Sequence, residues 1–352
     1  MTVEIDAARC HDRTASVDGS LMSAGPLPIG KVPASLLGDL LRSVPVLDPS
    51  VRLGPAIGED AAAIDLPEGT LVVATDPITL TSSDAGRYAV IINANDVAVT
   101  GAAPRWFLMA MLLPPGTEAG HLRALFGEVT AALDALDATL VGGHTEVTPA
   151  VNQPVLVGQM LGLVASDRLV TTGGAAPGDA LVQVGPVPVE GAAVLTAGRR
   201  DHLTEVGAEL LDAAAAAAEV PGISVVAAAR CAAAWDPTAM HDPTEGGLAT
   251  GLHELADASG VALRLTRDVV DWFAPGLAVC RELGADPWAT LASGCLLATF
   301  APERVDAALT ALRQAGHSAV RLGDVVAGAG VTVDDVALPV PERDEVARLL
   351  ED

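Results

Sequence analysis

Residues 71–113 read LVVATDPITLTSSDAGRYAVIINANDVAVTGAAPRWFLMAMLL, and their periodicity decides the architecture. Leu71–Thr75 is a compact β-type run that delivers Asp76 at its end, and Arg105–Leu113 is a second, stopped by Pro114-Pro115. Between them, Gly86–Thr100 reads as a helix of small residues in which Tyr88, Ile91, Ile92 and Val99 can face a core. Strand, helix, strand is the signature of a layered α/β unit, not of a bundle or a sandwich.

The alternation continues in both directions. Leu36, Leu37, Leu40 and Leu41 predict a short amphipathic helix within Val32–Ser43, and Glu118–Leu136 predicts a longer one with Leu122, Leu125, Phe126, Val129 and Leu133 on one side. Ala138–Val141 reads as a strand running into a Gly142-Gly143 loop, and Pro154–Val164 as a further strand. Turn-rich Asp167–Gly178 closes this first block. A second block follows: strand Ala180–Val184, helix Val189–Ala197, a long Ala-rich helix from about Leu203, helix Leu248–Ser259, strand Val261–Leu265, helix Pro302–Ala315 and strand Ala319–Val325. The expected fold is therefore a two-domain α/β (α+β) enzyme, with a leader over residues 1–27, domains over 28–168 and 169–335, and a tail over 336–352 that packs as a short helix.

With 352 residues, half of them hydrophobic, the chain can bury a core in each domain. Its net charge of −25 comes from Asp and Glu scattered along the chain, which argues for a solvated acidic surface and against a nucleic-acid partner. Apolar stretches such as Leu108–Leu113 fall far short of the roughly 20 residues of a membrane span, so no membrane and a cytoplasmic location are expected. The four cysteines, Cys10, Cys231, Cys280 and Cys295, form no C-x-x-C pair, so neither a thiolate metal site nor a disulfide framework is supported. Cys295 reads as a small buried apolar residue.

Chemistry points instead to acidic residues in small-residue turns: Gly58-Glu59-Asp60, Thr75-Asp76-Pro77, Asn95-Asp96, Gly142-Gly143-His144-Thr145-Glu146 and Asp242-Pro243-Thr244-Glu245-Gly246-Gly247. Carboxylates beside Gly-rich backbone suit a hard cation that arrives with nucleotide phosphate, because Mg²⁺ takes oxygen ligands and keeps several for the triphosphate. Each residue also has a plain reading. Asp60 can close its turn, Asn95 and Asp96 can form a solvated stripe, His144 can be a structural hydrogen-bonding group, and Thr244 can simply cap the helix that follows. Lys31, the only lysine in the chain, sits between Gly30 and Pro33 and is either a surface residue or a slim cation that closes over phosphates.

Taken in order, GEDAAAI, TDP, INANDVAVTGAAP, GGHTEV and HDPTEGGLATGLHELA resemble the AIR synthase-related superfamily of ATP-using enzymes over about residues 28 to 335. The DPTEGG motif and PVEGAAVL at 188–195 are most similar to its HypE hydrogenase-maturation branch. The resemblance implies ATP and Mg²⁺ as cofactors, Asp60, Asp76 and Asp96 as metal ligands with Glu146 completing the shell, and Gly142, Gly143, His144, Thr244, Gly246 and Gly247 as nucleotide-binding positions. Lys31 and Asp242 are the catalytic candidates, and a homodimer paired through N-terminal sheets is implied.

Three departures accompany the match. Glu59 stands where many relatives have a second aspartate, and Glu245 where HypE-like proteins commonly have arginine. No cysteine follows Cys295, whereas HypE proteins finish in one, so dehydration on the chain's own tail is not expected. The expected activity is Mg²⁺-dependent phosphorylation or activation of an oxygen on a small molecule. The alternatives are a kinase similar to thiamine-monophosphate kinase and a non-catalytic ATP-binding maturation or regulatory protein.

Overall fold

The computed structural model describes residues 49–351, apart from 55, 60 and 80–83, together with Gly38. Asp60, Lys31, the residue 1–27 leader and the Val32–Ser43 helix, Gly38 aside, lie outside the described residues.

The first sheet contains β1 (Val51–Leu53), β2 (Ala62–Leu66), β3 (Gly69–Ile78), β4 (Ala103–Leu113), β5 (Thr139–Val147) and β6 (Val155–Val164), in the order β1-β2-β3-β6-β4-β5. All neighbours are antiparallel except β4 and β5, which the Ala119–Leu136 helix joins as a parallel crossover. Alternation of side chains sorts the two faces. Val72 and Ala74 of β3, Phe107, Met109 and Met111 of β4, and Leu156 and Met160 of β6 are buried beneath the Ala85–Ala98 and Ala119–Leu136 helices. The opposite face carries Leu71, Val73, Leu108, Leu112, Val157 and Leu161, all only half-buried.

Two sequence expectations are corrected here. Asp76 does not end its strand, because β3 runs on to Ile78 and pairs Asp76 with Gly158 of β6. Gly142-Gly143 is not a loop but the middle of β5. Pairing with β4 puts Phe107 opposite Leu140 and Leu108 opposite Gly142, so Val141 is bulged out. Gly143 follows with φ 149°, and a Cβ there would stand 2.0 Å from the Met109 carbonyl oxygen. Glycine at this position thus permits a strand, where sequence alone suggested a phosphate-facing turn.

The second sheet, β7 (Ala180–Val184), β8 (Ala239–His241), β9 (Ala262–Leu265), β10 (Leu296–Phe300), β11 (Ala319–Val326), β12 (Gly330–Val333) and β13 (Val336–Ala337), has the order β13-β12-β9-β11-β7-β10-β8. Strands β7 and β10 are buried along their whole length because both faces are covered. On one face Leu181, Leu297 and Leu322 pack with Leu248, Leu252 and Leu255 of the Gly247–Ser259 helix; on the other, Val182, Val184 and Phe300 pack with the Val226–Ala233 and Pro302–Gln314 helices. The expected long Ala-rich helix is two, Ala208–Ala215 and Val226–Ala233, interrupted around Pro221-Gly222 since proline lacks the N–H a continuous helix needs. The tail forms the short helix Glu345–Glu351. Among the described residues no single helix is long and apolar enough to cross a membrane.

Asn95 explains how the two halves are joined. Its side chain is fully buried, with Nδ2 donating to the Ile223 carbonyl (2.9 Å) and Oδ1 accepting the Val225 N–H (2.9 Å). It is neither a surface residue nor free for a ligand. Ala98 and Val99, at the end of the same helix, belong to the core of the second domain.

Candidate functional site

The first half of the site is set by a residue that the sequence pattern left in the background. Asn93 accepts the Asp76 N–H through Oδ1 (2.8 Å) and donates through Nδ2 to the Asp76 carbonyl (3.2 Å) and the Ala89 carbonyl (2.8 Å). An asparagine amide is one of the few side chains that can answer both backbone groups of a residue at once. Asp76 projects on the helix-covered face, and Asp96, three residues after Asn93, shares that helix face and is 6% exposed. Asn93 therefore fixes the strand of Asp76 against the helix of Asp96. Room for the amide comes from Gly158, where a Cβ would lie 2.4 Å from Asn93 Nδ2 and 2.8 Å from the Phe107 ring. Asn93→Ala is expected to destabilise the fold by about 1–3 kcal/mol, the penalty for leaving buried backbone groups unmet, and urea unfolding measures it.

Glu146 does not belong to this half within one chain. Asp76, Gly158, Met109 and Gly143 form one row across β3, β6, β4 and β5, so β5 lies three strand spacings, about 14 Å, from Asp76. His144 and Glu146 also point to the opposite, open face, where they are exposed and paired with each other (Nε2 to Oε2, 3.2 Å). Within one chain, Glu146 is therefore not brought beside Asp76 and Asp96. Among the described residues no three His, Cys, Asp or Glu side chains converge as a metal site.

The Gly58-Glu59 turn reaches the second domain. A Cβ at Gly58 would stand 3.2 Å from the Glu254 carbonyl, and one at Gly173 would stand 3.6 Å from Glu59 Oε1. Glu254 lies on the helix that follows the DPTEGG motif, and its Oε2 is 2.9 Å from Nε2 of buried His241. The first acidic motif and the second-domain motif are therefore neighbours, although about 180 residues separate them in sequence.

At DPTEGG itself Asp242 is 1% exposed, beneath the turn. Thr244 is not the helix cap: the N-cap is Gly246, in the left-handed conformation at φ 81°, with no side-chain cap of the local kind. Instead Asp344, 98 residues downstream, accepts the Gly246 N–H through Oδ2 (2.7 Å). The Thr244 carbonyl accepts the N–H groups of Gly247 (3.1 Å) and Ala292 (3.2 Å), which fixes the turn.

Asp344 belongs to a buried group of acids that sequence reading missed. Glu190, at the first turn of the Glu190–Gly198 helix, is held up to about 7 by burial and then by the Asp344 and Glu245 charges, against a lowering hydrogen bond from Ser293. Burial likewise pushes Asp344 up to about 6, against lowering hydrogen bonds from the Gly246 and Val346 N–H groups. An acid inside an otherwise apolar run was the available signal for Glu190; nothing in the sequence connects Asp344 to Gly246. The folded chain keeps these protons above the pH at which the unfolded chain, with ordinary values of 4.5 and 3.8, has lost them. Folding therefore takes up protons in that window, and stability is expected to fall as pH rises from about 4.5 to about 7 and to level off above it. Glu190→Gln should flatten that fall in denaturant titrations repeated across pH.

Residues 58–164 match the family model described as AIR synthase related protein, N-terminal domain, and residues 176–336 match the corresponding C-terminal domain. The chain belongs to the AIR synthase-related family. Within it the chain is closely related to the HypE branch: carbamoyl dehydratase HypE of Cupriavidus necator is 32% identical over 286 residues, covering 76% of this chain and 77% of that protein. A solved structure of hydrogenase maturation protein HypE in complex with ATP is 25% identical with a TM-score of 0.65, covering 84% of this chain and 92% of that one. Thiamine monophosphate kinase from Aquifex aeolicus shares the fold, at 19% identity and a TM-score of 0.66 over 86% of this chain and 96% of that one. The family's two-domain α+β architecture is the one described above.

Proposed function

We propose that this family member is an ATP- and Mg²⁺-dependent enzyme that phosphorylates, or activates through phosphate, an oxygen of a small molecule. The observation that carries the reading is Asn93, which holds Asp76 and the helix of Asp96 together in one fixed arrangement. The similarity to a HypE solved with ATP supports nucleotide as the ligand. Asp76 and Asp96, with Asp60, are the residues that would hold Mg²⁺. Carboxylates on a strand and a helix locked together fit a hard cation that takes its remaining ligands from phosphate and water. When bound, the ion would neutralise phosphate charge during in-line attack. The protein's own part is positioning: the strand–helix clamp fixes the carboxylates, and the Gly246-Gly247 turn, fixed by Asp344 and Thr244, presents backbone next to buried Asp242.

Lys31 supplies the remaining cation in this reading. Lys31→Ala should weaken ATP more than AMP, by about 1.5–3 kcal/mol for a charge-assisted hydrogen bond, and calorimetry with both nucleotides measures the difference. Equal losses would reduce Lys31 to a surface residue.

A homodimer is part of the same proposal. The open face of the first sheet presents a band of half-buried Leu and Val residues, Leu71, Val73, Leu108, Leu112, Val157 and Leu161. Such a surface needs a cover, and a second copy supplies a self-complementary one. His144 and Glu146 lie on the face so covered.

The deciding experiment is a screen of candidate acceptors with Mg-ATP, read as a phosphorylated product mass and matched nucleotide release. An acceptor-dependent product supports the reading. Mg-ATP binding with no product from any acceptor class supports the non-catalytic alternative, and absent Mg-ATP binding removes both.

A further inference from the structure

A cavity of about 1030 Å³ opens between the Ala85–Ala98 and Ala119–Leu136 helices of the first domain and the Val226–Ala233 helix of the second. It is separate from the Asp76 and DPTEGG sites, none of whose residues line it. Ile91, Ala132, Leu136 and Val226 make its walls apolar. Its size sits at the top of the roughly 300–1,000 Å³ typical of ligand pockets.

The polar groups around it are mostly committed elsewhere. Arg87 pairs with Glu219 (3.0 Å) and donates to the Ala218 carbonyl (2.6 Å), Glu128 accepts the Gly86 N–H (3.0 Å), and Ser224 Oγ accepts the Val226 N–H (3.4 Å). Arg230 is the exception. It lines the cavity, is exposed, and forms no ion pair among the described residues. A spare guanidinium at the rim of an apolar cavity complements one kind of molecule: an apolar body with a single anionic head. Polyanions are disfavoured, since among the described residues that line the cavity only one cation is uncommitted.

We propose that this interdomain cavity binds a long-chain carboxylate, with the chain between the three helices and the head group on Arg230. Geometry and charge select the same end of the ligand. The proposal does not depend on the nucleotide reading.

Dodecanoate titrated into the full-length chain tests it, with dodecanol as the neutral match. One saturable site per chain is expected, with dodecanol binding more weakly. Arg230→Glu, an exposed change that leaves the core alone, should weaken dodecanoate by about 10-fold or more. Ala132→Trp, which sets an indole against the cavity wall, should weaken binding. Cys231, which also lines the cavity, gives a readout in the unaltered protein: dodecanoate should slow its alkylation, followed by peptide mass. The proposal is overturned by absence of saturable binding, by binding left undiminished in Ala132→Trp, by unaffected Cys231 alkylation, or by equal affinity for dodecanol. A mass that falls on Ala132→Trp with no dodecanoate binding would assign the cavity to contact between copies instead.

Discussion

Asp76→Asn and Asp96→Asn are each expected to weaken Mg-ATP binding about 100-fold or more, ~3 kcal/mol, while leaving the fold intact. The two carboxylates come from different elements, a strand and a helix, and Asn93 ties those elements together through the backbone of Asp76. Substitution by asparagine keeps side-chain volume and removes the charge that a hard cation needs. Thermal unfolding distinguishes lost ligand from lost fold. Calorimetry showing either variant binding Mg-ATP like the unaltered protein would withdraw that residue from the metal assignment. Loss without Mg²⁺ dependence would point to a direct nucleotide contact.

Leu161→Glu is expected to convert a dimer into a monomer at micromolar concentration. Leu161 lies in β6, a central strand, opposite Val73 of β3 and Trp106 of β4, on the uncovered face. A carboxylate placed at the centre of an apolar contact must be desolvated when the copies meet, a penalty of several kcal/mol, whereas on the free chain it remains hydrated. The substitution therefore acts on association and spares the monomer. Light scattering across a dilution series reads the result. A monomer mass for the unaltered chain would remove the pairing, and a dimer that persists in Leu161→Glu would move the interface off this face.

Much of the architecture is legible in the chain because local periodicity carries it. The 71–113 strand–helix–strand pattern, the amphipathic helix that begins near residue 118 and the strand–helix alternation after residue 180 need only side-chain alternation and turn chemistry to be read. Short strands such as β1, β2 and β8 escape such a reading, since three to five residues hold too little periodicity. The Gly142-Gly143 reading fails for a related reason. Glycine marks any close backbone approach, and sequence cannot say whether the approaching group is phosphate or the neighbouring strand.

The sequence by itself determined the fold class and the family, and it placed Asp96 on a helix and the DPTEGG turn ahead of one, because those depend on residues close together along the chain. Tertiary structure alone decided what these residues meet. It assigned Asn95 to the joint between domains and Asn93 to Asp76, separated Glu146 from Asp76 by three strands and a face, and set Asp344 at the head of a helix 98 residues away. The physical reason is that a hydrogen bond or a buried charge depends on distance in space, and only packing brings distant segments of one chain within that range.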